Sequence, residues 1–287
     1  MFTPSFRSFG RVLATICALT GASVTAARAV DASAWDGDSR AAMRLIGATA
    51  RDENGAQILR AGVELKIAPG WKTYWRYPGD SGVPPRFEFD QSENVKSVTV
   101  LWPAPLRFDG SDGTTIGYKG NIVFPLRIEA KDRTRPVTLR LRLDYAVCEK
   151  ICVPVDAKAD LVVDGKTQAN DAAVAAAERV VPKPQALRAA APLSVVNVAV
   201  DHAAKPARVV VEVAAPKDAA VVMFAEGPTP EWALPLPEPV DGAGDPSRKK
   251  FAFTLDGVPS GVSPKGAVLK LTAVSGGQAI ETGVPLD

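Results

Sequence analysis

"VTLRLRLDYAVCEKICVPVDAKADLVV", residues 137–163, reads as a β-hairpin whose register decides the fold. In its first half Val137, Leu139, Leu141, Leu143, Tyr145 and Val147 alternate with Thr138, Arg140, Arg142, Asp144, Ala146 and Cys148. That period of two belongs to a strand with one buried face. The second half repeats it, with Val153, Val155, Ala157, Ala159, Leu161 and Val163 set against Cys152, Pro154, Asp156, Lys158 and Asp160. If Glu149-Lys150-Ile151 is a three-residue loop, Val147 faces Val153, Tyr145 faces Val155, Leu139 faces Leu161, and Cys148 faces Cys152. One register therefore satisfies both the apolar face and the cysteine pair. Opposed residues in an antiparallel ladder have Cα atoms roughly 4.5–5.5 Å apart, within reach of a disulfide. The loop lacks the glycine that three-residue hairpins favour at a left-handed position, and Pro154 cannot donate to a ladder; both features predict strain at this end of the hairpin.

Outward from the hairpin, residues from about 40 to 165 contain further short β-like runs: "AMRLIGATA", "AGVELKIAPG", "PPRFEFD", "VKSVTVLWP" and "NIVFPLRIEA", separated by Gly, Pro, Asn and Asp. With the two hairpin strands they predict an antiparallel β-sandwich domain over 30–166. "TQANDAAVAAAERVV", 167–181, predicts a short helix with Asn170 or Asp171 as its cap, and "PKPQALRAAAP" a proline-stiffened linker, so that 167–191 separates two units. From 192 to 287 the pattern returns in "LSVVNVAVD", "PARVVVEVAAP", "AAVVMFAEG", "KKFAFTLDG" and "GAVLKLTAVSGG", a second, smaller β-sandwich without cysteine. The expected fold class is all-β throughout.

The 287 residues are 46% hydrophobic and 23% charged, an ordinary globular balance. Residues 1–29 read as a cleavable export signal, with Arg7 and Arg11 before the apolar "VLATICALTGASVTA" and Ala27-Arg28-Ala29 at the cleavage site. That segment holds three arginines and no acid, so its removal takes the net charge from +2 to −1. No basic footprint for nucleic acid remains. No later run reaches the roughly 18 apolar residues of a membrane span, so the mature chain is expected to be soluble outside the cytoplasm.

Cys17 falls in the signal, leaving Cys148 and Cys152 as an isolated pair in an oxidising compartment. From the residues alone the pair is a structural staple, a redox dithiol or part of a metal clip. Closing so small a loop removes little chain entropy, which weakens the first reading. No histidine accompanies the pair, which weakens the third. The single histidine, His202, reads as a surface residue. In "WKTYW" Trp71, Thr73 and Trp75 take one strand face and Lys72 and Tyr74 the other, either a ligand-stacking stripe or a sandwich core; Trp102 carries the same two readings. Neither a phosphate-binding GxxxxGK[ST] loop nor a G-x-S-x-G elbow is present.

Four words in series, "GWKTYWRYPGDSGVPPRFEF" at 70–89, "WPAPLRFDG" at 102–110, "IGYKGNIVFPLRI" at 116–128 and "YAVCEKICVPV" at 145–155, resemble the N-terminal periplasmic domain of DsbD-type thiol:disulfide interchange proteins, including ScsB-like reductases. The resemblance implies an immunoglobulin-like sandwich and a periplasmic role with no cofactor. It implies Cys148 and Cys152 as the redox pair, Cys152 attacking the client and Cys148 resolving, with Phe108 and Asp109 at the place of a cap that shields the sulfurs. Tyr145 and Pro154 are expected near the site. A membrane-embedded thiol reductase would supply electrons and thioredoxin-like periplasmic proteins would receive them, because neither a transmembrane channel nor a thioredoxin-like domain is recognisable in this sequence. The competing expectations are an envelope binding module stapled by its disulfide and a Cu(I)-handling protein.

Overall fold

A computed structural model describes residues 1–2, 31–110, 113–240 and 245–287. The export signal expected at 1–29 lies, beyond its first two residues, outside the described residues. In chain order the first part contains β1 (Asp36–Gly37), β2 (Ala41–Glu53), β3 (Ala56–Ile67), β4 (Lys72–Gly79), β5 (Arg86–Glu88) and β6 (Val95–Val100). It continues with β7 (Leu106–Gly110), β8 (Gly113–Lys119), β9 (Asn121–Ala130), β10 (Val137–Cys148) and β11 (Cys152–Val163). Helix α1 (Asp171–Arg179) follows. The second part contains β12 (Lys183–Pro184), β13 (Ser194–Asp201), β14 (Arg208–Ala214), β15 (Val222–Glu226), β16 (Glu238–Pro239), β17 (Arg248–Thr254), β18 (Val268–Ser275) and β19 (Gln278–Pro285). The protein is all-β, as its alternation predicts.

The first sandwich packs a sheet of order β1-β2-β3-β9-β6 against one of order β11-β10-β4-β8-β7, with β5 also paired to β10. The hairpin has the expected register over its full length, from Val137 opposite Val163 to Cys148 opposite Cys152. Its alternate residues Leu139, Leu143, Tyr145 and Val147 enter a core with Met43, Leu45, Leu65 and Phe124 of the facing sheet. Trp102 joins Phe87 and Phe124 in edge-on contacts with centroids 5.6 and 5.3 Å apart, so it is a core aromatic. Strands β7 and β8 have no counterpart among the predicted runs. Their glycines at 110, 113 and 117 and polar residues at 114 and 115 interrupt the alternation by which a strand is recognised.

Helix α1 covers the outer face of the first sheet, burying Val174 beside Ile46 and Ala48. Asn170 precedes it but caps nothing with its side chain; its amide donates instead to the carbonyls of Asp31 and Gly47. Asp171 accepts from the Thr49 amide and hydroxyl, both at 2.7 Å. The Arg60 guanidinium, 2% exposed, holds Glu178 through two 2.7 Å bonds.

The second sandwich packs β12-β19-β18-β15 against β13-β14-β17-β16. The start of the segment expected as a proline-stiffened linker is built into it. Lys183 and Pro184 pair in parallel with Ile280 and Glu281, and the Gln185 amide donates to the Glu281 carbonyl. An edge position accommodates Pro184 because no ladder donor is required of it there. The two sandwiches also share a core: Phe224 and Leu236 of the second, 0% and 8% exposed, pack into the first.

Candidate functional site

The hairpin brings the two cysteines to its turn, where they are bonded with Cα atoms 4.2 Å apart. Among the described residues no position from 149 to 151 has positive φ, so the loop closes without the left-handed residue expected of it. Alternation places Cys148 on the outer face of its sheet, yet it is only 4% exposed, whereas Cys152 lies at the surface. Strand β4 accounts for the difference. Lys72 is the register partner of Cys148, and Thr73 fixes the strand by donating its hydroxyl to the Ala146 carbonyl at 2.8 Å.

Two residues further on, the Tyr74 hydroxyl donates to Cys148 Sγ at 2.8 Å and lies 3.1 Å from Cys152 Sγ. A bonded sulfur carries no hydrogen, so the hydroxyl is the donor in both contacts. Tyr74 is 2% exposed and forms a small cluster with Ala146 and Cys148, separate from the sandwich core. Burial raises the pKa of its phenol, which therefore stays protonated as a donor at neutral pH.

The loop after β4 closes over the tyrosine. A Cβ on Gly82, whose φ is +137°, would stand 2.4 Å from Tyr74 Cε1; only glycine lets this backbone rest on the ring. Asp80 ties the same loop to the β7–β8 hairpin, its carboxylate accepting from the Thr114 amide at 2.7 Å and its amide donating to the Thr114 carbonyl at 2.9 Å.

Phe108, expected as the shield, is half-buried on β7 with its ring centroid 5.3 Å from Lys72 Nζ. Lys72 also donates to Thr115 Oγ1 at 2.6 Å, and burial lowers the pKa of its ammonium. The phenylalanine thus stands beside the partner residue of Cys148, while the group touching both sulfurs is Tyr74. Asp109 accepts from Arg107 Nε and Thr114 Oγ1, each at 2.8 Å; these donors hold its carboxyl below the usual range and brace the hairpin. Pro154 is exposed opposite Ala146. Tyr145, expected near the site, points into the sandwich core, 2% exposed, with its hydroxyl unpartnered among the described residues. Alternation turns residue 145 away from the face that carries residue 148.

Tyr74 is the residue that sequence reasoning passed over. Its signal was present, since "WKTYW" assigns Lys72 and Tyr74 to the face opposite the tryptophans. That Cys148 shares this face depends on the pairing of β4 with β10, which no local pattern reveals. Among the described residues no group of three or more His, Cys, Asp or Glu side chains could hold a metal ion, and no helix is long and apolar enough to cross a membrane. The arrangement offers one surface sulfur open to attack and one buried sulfur with a hydroxyl donor aimed at it.

Comparison with known proteins bears on the same segment. The crystal structure of the N-terminal periplasmic domain of ScsB from Proteus mirabilis is similar in fold, with a TM-score of 0.65 at 20% identity over 89% of this chain and 98% of that one. The C-terminal domain of the Streptococcus agalactiae AgI/II polypeptide BspA aligns with a TM-score of 0.14 at 10% identity, over 82% of this chain and 96% of that one. No curated protein matches in sequence. The family described as "Thiol:disulfide interchange protein DsbD, N-terminal" matches residues 49–164, the stretch that holds β4, the covering loop and both cysteines. Residues 49–164 are thus similar to the N-terminal domain of DsbD-type thiol:disulfide interchange proteins, and the fold around them is shared with the ScsB domain.

Proposed function

We propose that this protein passes reducing equivalents through the Cys148–Cys152 pair, taking them from a membrane-embedded thiol reductase and delivering them to thioredoxin-like clients in the periplasm. The observation that carries this reading is the asymmetry of the pair: Cys152 at the surface, Cys148 buried, with the Tyr74 hydroxyl 2.8 Å from the buried sulfur. In the forward direction the Cys152 thiolate attacks one sulfur of a client disulfide and expels the other as a thiolate, forming a mixed disulfide. Cys148, as thiolate, then attacks Cys152 Sγ and releases the client's second sulfur. Two electrons leave, and the Cys148–Cys152 bond closes. Recharging runs in reverse: a donor thiolate attacks the accessible Cys152, and Cys148 departs as a thiolate stabilised by the tyrosine donor. The periplasmic setting is supported by the ScsB domain, which is described as periplasmic. Ile151, 70% exposed beside Cys152, gives an incoming partner apolar surface at the reacting sulfur.

Single-cysteine variants test the reading. With Cys148→Ser, Cys152 is expected to alkylate rapidly and to retain a thioredoxin-like client as a mixed disulfide. With Cys152→Ser, the remaining buried thiol is expected to react slowly and trap nothing. Equal alkylation rates, or a pair that stays oxidised at buffer potentials below about −300 mV, would reject exchange in favour of a staple.

A further inference from the structure

The strand that touches the sulfurs is also the strand that the second sandwich holds. Next to Tyr74, Trp75 is fully buried with its ring 5.5 Å from that of Phe224. Two residues beyond Tyr74, Arg76 makes a two-pronged contact with Glu226 at 2.8 and 2.7 Å and binds Glu281 with the same guanidinium. Burial opposes the charge on Arg76, and the two carboxylates outweigh it, keeping the guanidinium cationic. At the third residue the Tyr77 hydroxyl donates to the Leu234 carbonyl. Strand β7 is held in the same way, since Arg107, beside Phe108, reaches Glu238 at 2.8 Å. Every one of these partners belongs to the second sandwich.

A hydrogen bond to sulfur depends steeply on where the donor sits, so a strand fixed on its far side fixes the Tyr74 hydroxyl as well. Glu281 adds a link to the connector, being the register partner of Pro184 and accepting from the Gln185 amide through its carbonyl. We propose that the second sandwich is a positioning element of the dithiol: Glu226 and Glu281 hold Arg76, and through β4 they hold the Tyr74 donor against Cys148. The inference rests on the exchange reading given above. It assigns the second sandwich a role inside the redox reaction, with Arg76 acting through Tyr74.

The test uses the complete mature chain equilibrated in thiol–disulfide buffers, with alkylated cysteines counted by mass spectrometry. The variants are Glu226→Gln/Glu281→Gln, Arg76→Lys and the milder Tyr77→Phe, each alone and combined with Tyr74→Phe, with the surface change His202→Ala as control. Circular dichroism and the unfolding midpoint establish that each variant is folded; Tyr77→Phe, which loses one hydrogen bond, serves if the double glutamine variant is not. The expected result is a fall of roughly two- to ten-fold in the equilibrium constant for reduction, within the range of couplings carried through packed elements and no larger than the loss of the Tyr74 hydroxyl itself. In the Tyr74→Phe background the same changes are expected to add little, because the group through which they act is gone. Folded junction variants with the wild-type constant, or shifts of equal size with and without Tyr74, overturn the positioning role and leave exchange standing. A wild-type pair that thiol buffers cannot reduce overturns the exchange reading itself.

Discussion

Replacing Tyr74 by phenylalanine isolates one hydroxyl. The ring that Gly82 rests on is retained, so covering of the pair is preserved and only the donor to the two sulfurs is lost. In the disulfide that donor faces neutral sulfur, whereas in the reduced protein it faces a thiolate. A hydrogen bond between neutral groups contributes about 0.5–1.5 kcal/mol net and one to a charged group about 1.5–3 kcal/mol, so the reduced state loses about 1–1.5 kcal/mol more than the oxidised state. For a two-electron couple that is a potential more negative by about 20–30 mV. The same difference raises the Cys148 thiol pKa by about one unit. The potential is read by equilibration at about pH 9, where an ordinary thiol is mostly ionised, and the pKa by the pH dependence of alkylation. A potential unchanged within about 5 mV, or one that becomes less negative, would refute the claim that Tyr74 stabilises the departing thiolate.

Gly82→Ala forces a methyl group into the Tyr74 ring, so the covering loop should lift and reduction by dithiothreitol should accelerate; an unchanged rate would mean that the loop does not limit access. Arg60→Ala removes the buried one of the two guanidiniums that hold Glu178, Arg51 remaining, and should lower stability by about 1.5–3 kcal/mol in urea unfolding. Burial pushes the Asp171 carboxyl upward, but the Thr49 hydroxyl and amide prevail and hold it below its ordinary value. A depressed carboxyl contributes stability that is present above an unfolded pKa of about 3.9 and is lost as pH falls through the folded value. Urea midpoints of wild type should therefore drop between pH 6 and pH 3 by more than those of Asp171→Asn, and parallel curves would contradict this.

The hairpin was legible because its two strands alternate without interruption and only one register buries both apolar sets. Strands β7 and β8 were not legible, since Gly110, Gly113 and Gly117 remove the side chains on which a period-two pattern depends. The connector at 183–185 reads as a proline-stiffened linker, because its parallel partner lies almost a hundred residues away at 280–281. Tyr145 is expected near the site, and strand geometry sends its side chain to the face opposite that of Cys148. Tyr74 entered by the converse route, through a strand pairing that spans more than seventy positions. Residue types announced the cysteine pair; the hydroxyl that touches it became visible only when strands distant in sequence were set side by side.

The hairpin ladder reaches as far as the cysteines themselves, pairing Val147 with Val153 and Cys148 with Cys152. Opening the disulfide therefore releases neither strand. The two thiols stay opposed as tethered reactants, and their mutual concentration is set by backbone pairing. Tethering of that kind turns a bimolecular step into an effectively unimolecular one, with effective molarities of about 10⁵ M or more when the geometry is favourable. A partner joined to Cys152 is thus met by a second sulfur already in place, and the covalent complex should be short-lived unless Cys148 is removed.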